Sequence, residues 1–434
     1  MNKLFYLIIF LFFISACSFN KNSKFWTSSQ DIQKEKEGKL KKVLIEESAL
    51  EKEFNPSLKI KLSKKINKNL LFQNYFNNNG RLGYDGELKK SSRYKFSKIK
   101  NFYQFEPNIS FNKNNLIFFD DKGSIIQFND KSKLIWKKNY YSKSEKKLKP
   151  ILQIANNEKY LIIADSIAKY YMLDLTSGNL IWSKNNLAPF NSQIKIYEDK
   201  FFIVDYSNTL RCISMKNGEE LWNIKTESSL IRSQKKLSMV IVNGVIYFNN
   251  SVGDITAADI ERGELIWQLP TQSSLLYESS FSLETSDIIT DTKNLFFSNN
   301  KNQFFSIDIA TGSFNWENKI NSNIRPTVVD NYLFTVSIEG FLMVLEKNTG
   351  NIIRVTDIFN NFKKKKRNSI KPTGFIVGLN NIYLSTNNGK LLVIDIITGK
   401  TITVLKIDNE KISRPFVLDN NLFLIKDNAI IKLN

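Results

Sequence analysis

The 434-residue sequence contains no histidine. Imidazole titrates near neutrality and is a common ligand of zinc and haem. Its absence excludes His-based catalytic triads, His-ligated zinc sites and His-ligated haem. Carboxylate or lysine chemistry would need signals of its own. Cysteine is nearly as scarce, with only Cys17 and Cys212. Cys17 has a separate use, given below, which leaves Cys212 as a lone thiol, read as a small buried apolar residue and not a nucleophile. The apolar run at the N-terminus, Leu4 to Ile14, is too short for a comfortable membrane span. Acid is short relative to base: 62 Lys and Arg face 42 Asp and Glu, a formal charge of +20. Such an excess suits nucleic-acid or membrane-surface binding. It equally follows from the abundance of Lys, Asn, Ile and Phe that AT-rich coding produces. Its distribution favours the second reading in part, because residues 21–100 alone hold 20 Lys and Arg against 9 Asp and Glu. The other dense cluster, Lys363 to Arg367, reads as a solvated loop.

What is present points to strands and an address. The chain is 42% hydrophobic and 13% aromatic, with 33 Phe, a composition that leans towards β-structure. Lys3 and the apolar run Leu4 to Ile14, ending in Ile14-Ser15-Ala16-Cys17, have the layout of a secretory leader. Residues 1–16 are therefore read as a signal peptide. Residues 17–91 follow as a polar lead or tether, Lys/Glu-rich between Lys34 and Glu53. A leader also argues against a nucleic-acid partner.

From residue 92 onward the chain repeats itself. Four clear copies run Tyr160–Trp182, Lys200–Trp222, Val245–Trp267 and Asn294–Trp316. Each has two apolar runs, then a turn with Gly178, Gly218, Gly263 or Gly312, then Trp four residues after the Gly. The apolar runs are expected to alternate as strands do. The Asp of Asp174 or Asp308 caps the turn, Gly supplies a positive φ, and Trp offers a flat face to a neighbouring sheet. One small sheet cannot cover both its faces, so copies must stack. Weaker copies end at Trp136, with Ser132 in place of Gly, and at Arg354 and Thr403, which keep Gly350 and Gly399. Phe96 is placed at the same position at the start. The eight signature positions are spaced 38 to 49 residues apart, near one four-stranded blade each.

The two ends complete each other. Residues 422–433 supply two apolar runs and stop, while residues 92–99 supply only a last strand. Pairing them closes a ring and removes its exposed edges. The expected fold is all-β: an eight-bladed β-propeller of four-stranded antiparallel blades over residues 92–434, closed by pairing the N- and C-terminal strands. Seven blades is the rival count if Phe96 is misplaced. Trp136, Trp182, Trp222, Trp267 and Trp316 are read as structural, docking blade on blade.

The Gly and docking Trp resemble the PQQ-type propeller repeat, and Ile14 to Cys17 resembles the bacterial lipobox. That second resemblance implies cleavage before Cys17 and its lipidation; Ser18 then favours the outer membrane. A lipobox, a short polar lead and eight such blades together look like the BamB-type lipoproteins of the outer-membrane β-barrel assembly machinery. Phe102-Tyr103-Gln104-Phe105-Glu106-Pro107, followed by Asn114 to Phe118, is similar to that family's first blade. The resemblance implies a non-catalytic scaffold that binds the periplasmic domains of a BamA-like central barrel protein, with no cofactor and no metal. It implies contact segments at Leu230-Ile231-Arg232 and, in the next linker, at Glu284 with Asp287 close by. Arg suits an interface hot spot because its planar fork offers several donors. It also suggests that an outer blade strand holds unfolded outer-membrane proteins by β-augmentation. Two rival functions remain: a propeller binding another envelope protein or glycan, and a PQQ-dependent dehydrogenase. The dehydrogenase is disfavoured by the missing His and the missing vicinal Cys pair.

Overall fold

The structure, a computed structural model, describes residues 52–63, 78, 83–227, 235–271 and 283–434. Residues 1–48 separate from the compact unit formed by 49–434, so the leader and Cys17 lie outside the described residues. The compact unit is an eight-bladed β-propeller of eight four-stranded antiparallel sheets. Blades 1 to 7 occupy residues 110–138, 152–185, 195–225, 239–269, 289–318, 327–357 and 372–406. Blade 8 takes three strands from residues 416–433 and its outermost strand from Lys90–Lys95. That strand runs antiparallel to Ala429–Leu433, with Tyr94 opposite Ile430. The ring is closed by its two ends.

The strand pattern follows from what covers each sheet. In blade 3, Lys200–Val204 is buried along its whole length, whereas Glu220–Lys225 alternates between exposed and half-buried. Inner strands are sandwiched between neighbouring blades and read as near-continuous apolar runs. Clean alternation survives only in the outermost strand, where one face meets water.

Gly and Trp meet across blade boundaries. Gly218 sits at φ +71°, and a Cβ there would come within 2.7 Å of the Trp182 ring of the preceding blade. Gly178 meets Trp136, Gly263 meets Trp222, Gly312 meets Trp267 and Gly350 meets Trp316 in the same way. The indole N–H groups of Trp182, Trp267 and Trp316 donate to the backbone carbonyls of Met215, Ile309 and Lys347, at 2.8, 3.1 and 3.0 Å. Those acceptors occupy one equivalent position in the next blade's outer turn. A β-bulge precedes each Trp, as between Cys212 and Ile213 opposite Trp222, and swings the ring onto the neighbouring turn.

The signature position of blade 8 differs from the sequence expectation. Its bulge falls between Lys90 and Ser92, so register puts Ser92, not Phe96, at the Trp position. Phe96 lies beyond the strand and packs on Phe118, with centroids 4.9 Å apart. The docking is taken over by Tyr94, two residues on and therefore on the same face. Its hydroxyl donates to the Asp130 carbonyl at 3.1 Å, the same acceptor position the indoles use.

The other two atypical boundaries are completed by the lead. Between blades 6 and 7, Arg354 is fully buried and donates to the carbonyls of Ile396 at 3.1 Å, of Ile397, and of Leu58 in the lead at 3.0 Å. Ile60 packs into the same core, and Phe54 bridges to Val355 on the outer strand of blade 6. Between blades 7 and 8, where Thr403 replaces Trp, buried Tyr84 packs edge-on against Tyr383, with centroids 5.0 Å apart. Residues 52–63 and 83–89, expected as part of a polar tether, thus supply side chains that the last blades lack.

Candidate docking face and central channel

Up-and-down blades put every inter-blade linker on one face of the ring. Eight such linkers surround the mouth of the central channel. The mouth holds a cavity of about 240 Å³ lined by Tyr103, Glu106, Asn191, Lys235, Lys236, Glu284, Asn323, Thr373 and Lys411, among others. A recess below it is lined by Glu106, Lys236, Asp287, Lys411, Ser413 and Arg414. No one blade builds this site: its lining is drawn from several linkers, with four residues, Tyr103 to Glu106, from the one before blade 1.

A serine at the head of several inner strands sets the geometry. Ser192, Ser286 and Ser413 accept from the backbone N–H of Val204, Ser298 and Ile425, at 2.7, 2.9 and 2.9 Å. Each serine is followed by a polar residue at the channel wall: Gln193, Asp287 and Arg414. Asp287 is only 5% exposed. It accepts from Arg325 Nε at 2.5 Å and forms an ion pair with Arg325 Nη2. Burial opposes its charge, but the Arg325 guanidinium and the Lys236 ammonium outweigh this and hold the carboxyl well below the usual range. Lys195 is buried on the channel wall and donates to Asn78 Oδ1 at 2.7 Å. Asn78, a residue of the lead, in turn donates to the carbonyls of Met239 and Ile288, at 3.1 and 2.9 Å.

The partner-contact residues read from the sequence separate. Leu230, Ile231 and Arg232 lie outside the described residues, in the linker before blade 4. Glu284 lies at the exposed rim of the mouth and accepts from Asn323 Nδ2. Asp287 belongs to the channel wall, committed to Arg325. The basic run 363–367 lies in the linker before blade 7, where Lys364–Arg367 forms one short exposed helical turn. Sequence reasoning missed the cationic channel residues Lys195, Lys236, Arg325, Lys411 and Arg414. The repeated Ser before a polar residue was the available signal for Asp287 and Arg414.

The remaining thiol is inert by environment. Cys212 is fully buried, and burial pushes its pKa up to about 12. Among the described residues, no three His, Cys, Asp or Glu side chains are grouped to hold a metal ion.

A closed ring of eight blades, docked through Gly and Trp at equivalent turns and opening through a charged channel on its linker face, is an eight-bladed PQQ-like propeller. The family profile described as "Outer membrane protein assembly factor BamB" matches residues 121–356, and the chain belongs to that family. The chain is 23% identical over 210 residues to the outer membrane protein assembly factor BamB of Legionella pneumophila (strain Paris), covering 46% of this chain and 50% of the relative. An uncharacterized protein of Rickettsia prowazekii (strain Madrid E) is 20% identical over 293 residues, covering 64% of this chain and 68% of that protein. The match thus spans about half the length of the Legionella relative. Among solved structures, BamB from Moraxella catarrhalis superposes with a TM-score of 0.66 at 14% identity, covering 80% of this chain and 99% of that one. Quinohemoprotein alcohol dehydrogenase from Comamonas testosteroni superposes with a TM-score of 0.57 at 10% identity, covering 81% of this chain and 78% of that one. At these identities the superpositions show the fold alone. The same ring carries an enzyme in one neighbour and an assembly factor in another, so the site must decide function.

Proposed function

We propose that this chain is a non-catalytic scaffold lipoprotein of the outer-membrane β-barrel assembly machinery. It is anchored through lipidated Cys17 at the periplasmic face of the outer membrane and binds the periplasmic domains of a BamA-like central barrel protein. The observation that carries this reading is the family membership. The geometry supports it with a ring whose described linkers share one face, among them the one that holds Glu284. Glu284 is exposed at the mouth and bonded to a neutral Asn, so its charge remains available to a basic partner. Arg232 would supply the opposite charge from the adjacent linker.

Unfolded barrel proteins are the further proposed clients, held at an outermost strand. Among the described residues the chain pairs such an edge with itself where the backbones of Phe54 and Val355 exchange hydrogen bonds of 3.1 and 2.8 Å. An extended client strand would use the same groups on other blades. Deletion of the gene in the native organism tests the reading. Folded β-barrel proteins in the outer-membrane fraction should fall severalfold and return with the wild-type gene. A Cys17→Ala copy should restore them poorly. Unchanged barrel levels on deletion would contradict the proposal.

A further inference from the structure

The channel mouth holds more positive charge than its neighbours neutralise. Asp287 is committed to Arg325, and Glu106 faces Lys235 at 3.5 Å. That leaves Lys236, Lys411 and Arg414, none of which forms an ion pair among the described residues. Lys236 donates to the Glu106 carbonyl at 3.2 Å. Lys411 donates to the carbonyls of Tyr103 and Phe105, both at 3.1 Å. The Arg414 side chain makes no hydrogen bond among the described residues, and its guanidinium lies 5.1 Å from the Phe416 ring centre. Burial drives the pKa of all three down. Arg414 is only part-buried, and its guanidinium, charged at any ordinary pH, is therefore open to an anionic acceptor.

The surroundings are built to hold these groups in place. Gly374, at φ +148°, faces the stem of Arg414, and a Cβ there would come within 2.4 Å of Arg414 Cβ. Ser413 fixes the backbone on the other side, donating to the Arg414 carbonyl at 2.8 Å. The recess beside Arg414 measures about 10 Å³, about the space one water or one head-group oxygen occupies. The wider mouth above it, about 240 Å³, is open to a larger body and carries Lys411 and Lys236 on its wall.

We propose that the channel mouth is a binding site for a carboxylate-bearing anion, its head group on the Arg414 guanidinium and its body between Lys236 and Lys411. The recess admits one carboxylate oxygen onto the Arg414 guanidinium, a charge-assisted hydrogen bond. The two ammonium groups favour a ligand with more than one negative charge. This site is independent of the assembly role proposed above.

Citrate is the probe, titrated calorimetrically into the full-length protein and compared with sodium chloride at equal ionic strength. Saturable citrate binding is expected, weakened by about tenfold or more in Arg414→Gln and in Lys411→Gln. Lys411 lies at the open mouth, so its variant tests the site even if Arg414→Gln folds poorly. Lys364→Gln/Lys365→Gln, on the basic run that lines neither the mouth nor the recess, should bind as wild type. A glutamate hexapeptide distinguishes the source: tighter binding than citrate, with mutual competition, assigns the site to acidic side chains of a partner chain. Citrate binding without peptide binding assigns it to a free polycarboxylate. Citrate heats no larger than those of chloride, or binding lost with the Lys364/Lys365 variant and kept in Lys411→Gln, would overturn the proposal.

Discussion

Gly218 and Trp182 meet across a blade boundary at a distance that leaves no room for a methyl group. Gly218→Ala combines a left-handed φ with a clash against a packed ring and should lower stability by about 2 kcal/mol, read by urea unfolding. Arg354 does the same work by a different route, replacing one indole donor with a fork that reaches both the next blade and the lead. Arg354→Met removes the donor to the carbonyls of Leu58 and Ile396, leaves Ile397 with only the Ile60 N–H, and should cost about 3 kcal/mol. Arg354→Trp should recover part of that loss through Ile396, while limited proteolysis still finds residues 52–63 loosened. Lys236 gives a pH signature. Burial lowers its pKa to about 8 from 10.5, against the pull of Asp287 and Glu106 and with the push of Arg414 and Arg325. Between those pH values the unfolded chain binds the extra proton, so this group's contribution to stability rises with pH. Lys236→Met should lose that slope in urea titrations from pH 7.5 to 10. The Trp and Gly positions were legible because they recur at fixed spacing. Arg354 was legible as a position but not as a substitute, since its donors matter only once the facing carbonyls are known.

The blade repeats strongly enough that four copies stand out unaided. The eighth blade was legible as two incomplete pieces, and only its signature residue was misplaced. Ser92 and Phe96 both fall within the 38-to-49-residue spacing before Trp136, so spacing alone could not separate them. The lead was not legible as part of the fold. Leu58, Ile60 and Leu62 alternate with Lys59 and Lys61 for only five residues, and Tyr84 stands alone, so the Lys-rich stretch around them reads as solvated. Their burial at the two boundaries that lack Trp explains how blades 6 to 8 tolerate Arg354 and Thr403. A chain beginning at residue 52 should unfold in urea much as the full chain does. One beginning at residue 89 keeps the closing strand but loses both fillers, and it should be less stable by about 3 kcal/mol or more. Equal midpoints for the two would remove the lead from the fold.

At the scale of the whole molecule, ring closure puts eight linkers around one channel. Its residues lie far apart in sequence, from Asn78 to Arg414, and each looks like an ordinary charge in its own linker. Only the closed ring brings them together, so the cationic mouth could not be read from spacing. The family resemblance implied which linkers contact a partner and left open how their charges are used. Glu284 faces outward, while Asp287, a few residues on, stabilises the channel wall through Arg325. The most direct measurement is co-purification of the tagged protein from detergent-solubilised envelopes of the native organism, with partners identified by mass spectrometry. Wild type should bring down the central β-barrel assembly protein, and a folded Leu230→Ala/Arg232→Glu/Glu284→Arg variant should lose it. Wild-type protein that recovers no barrel-assembly component would contradict the scaffold role.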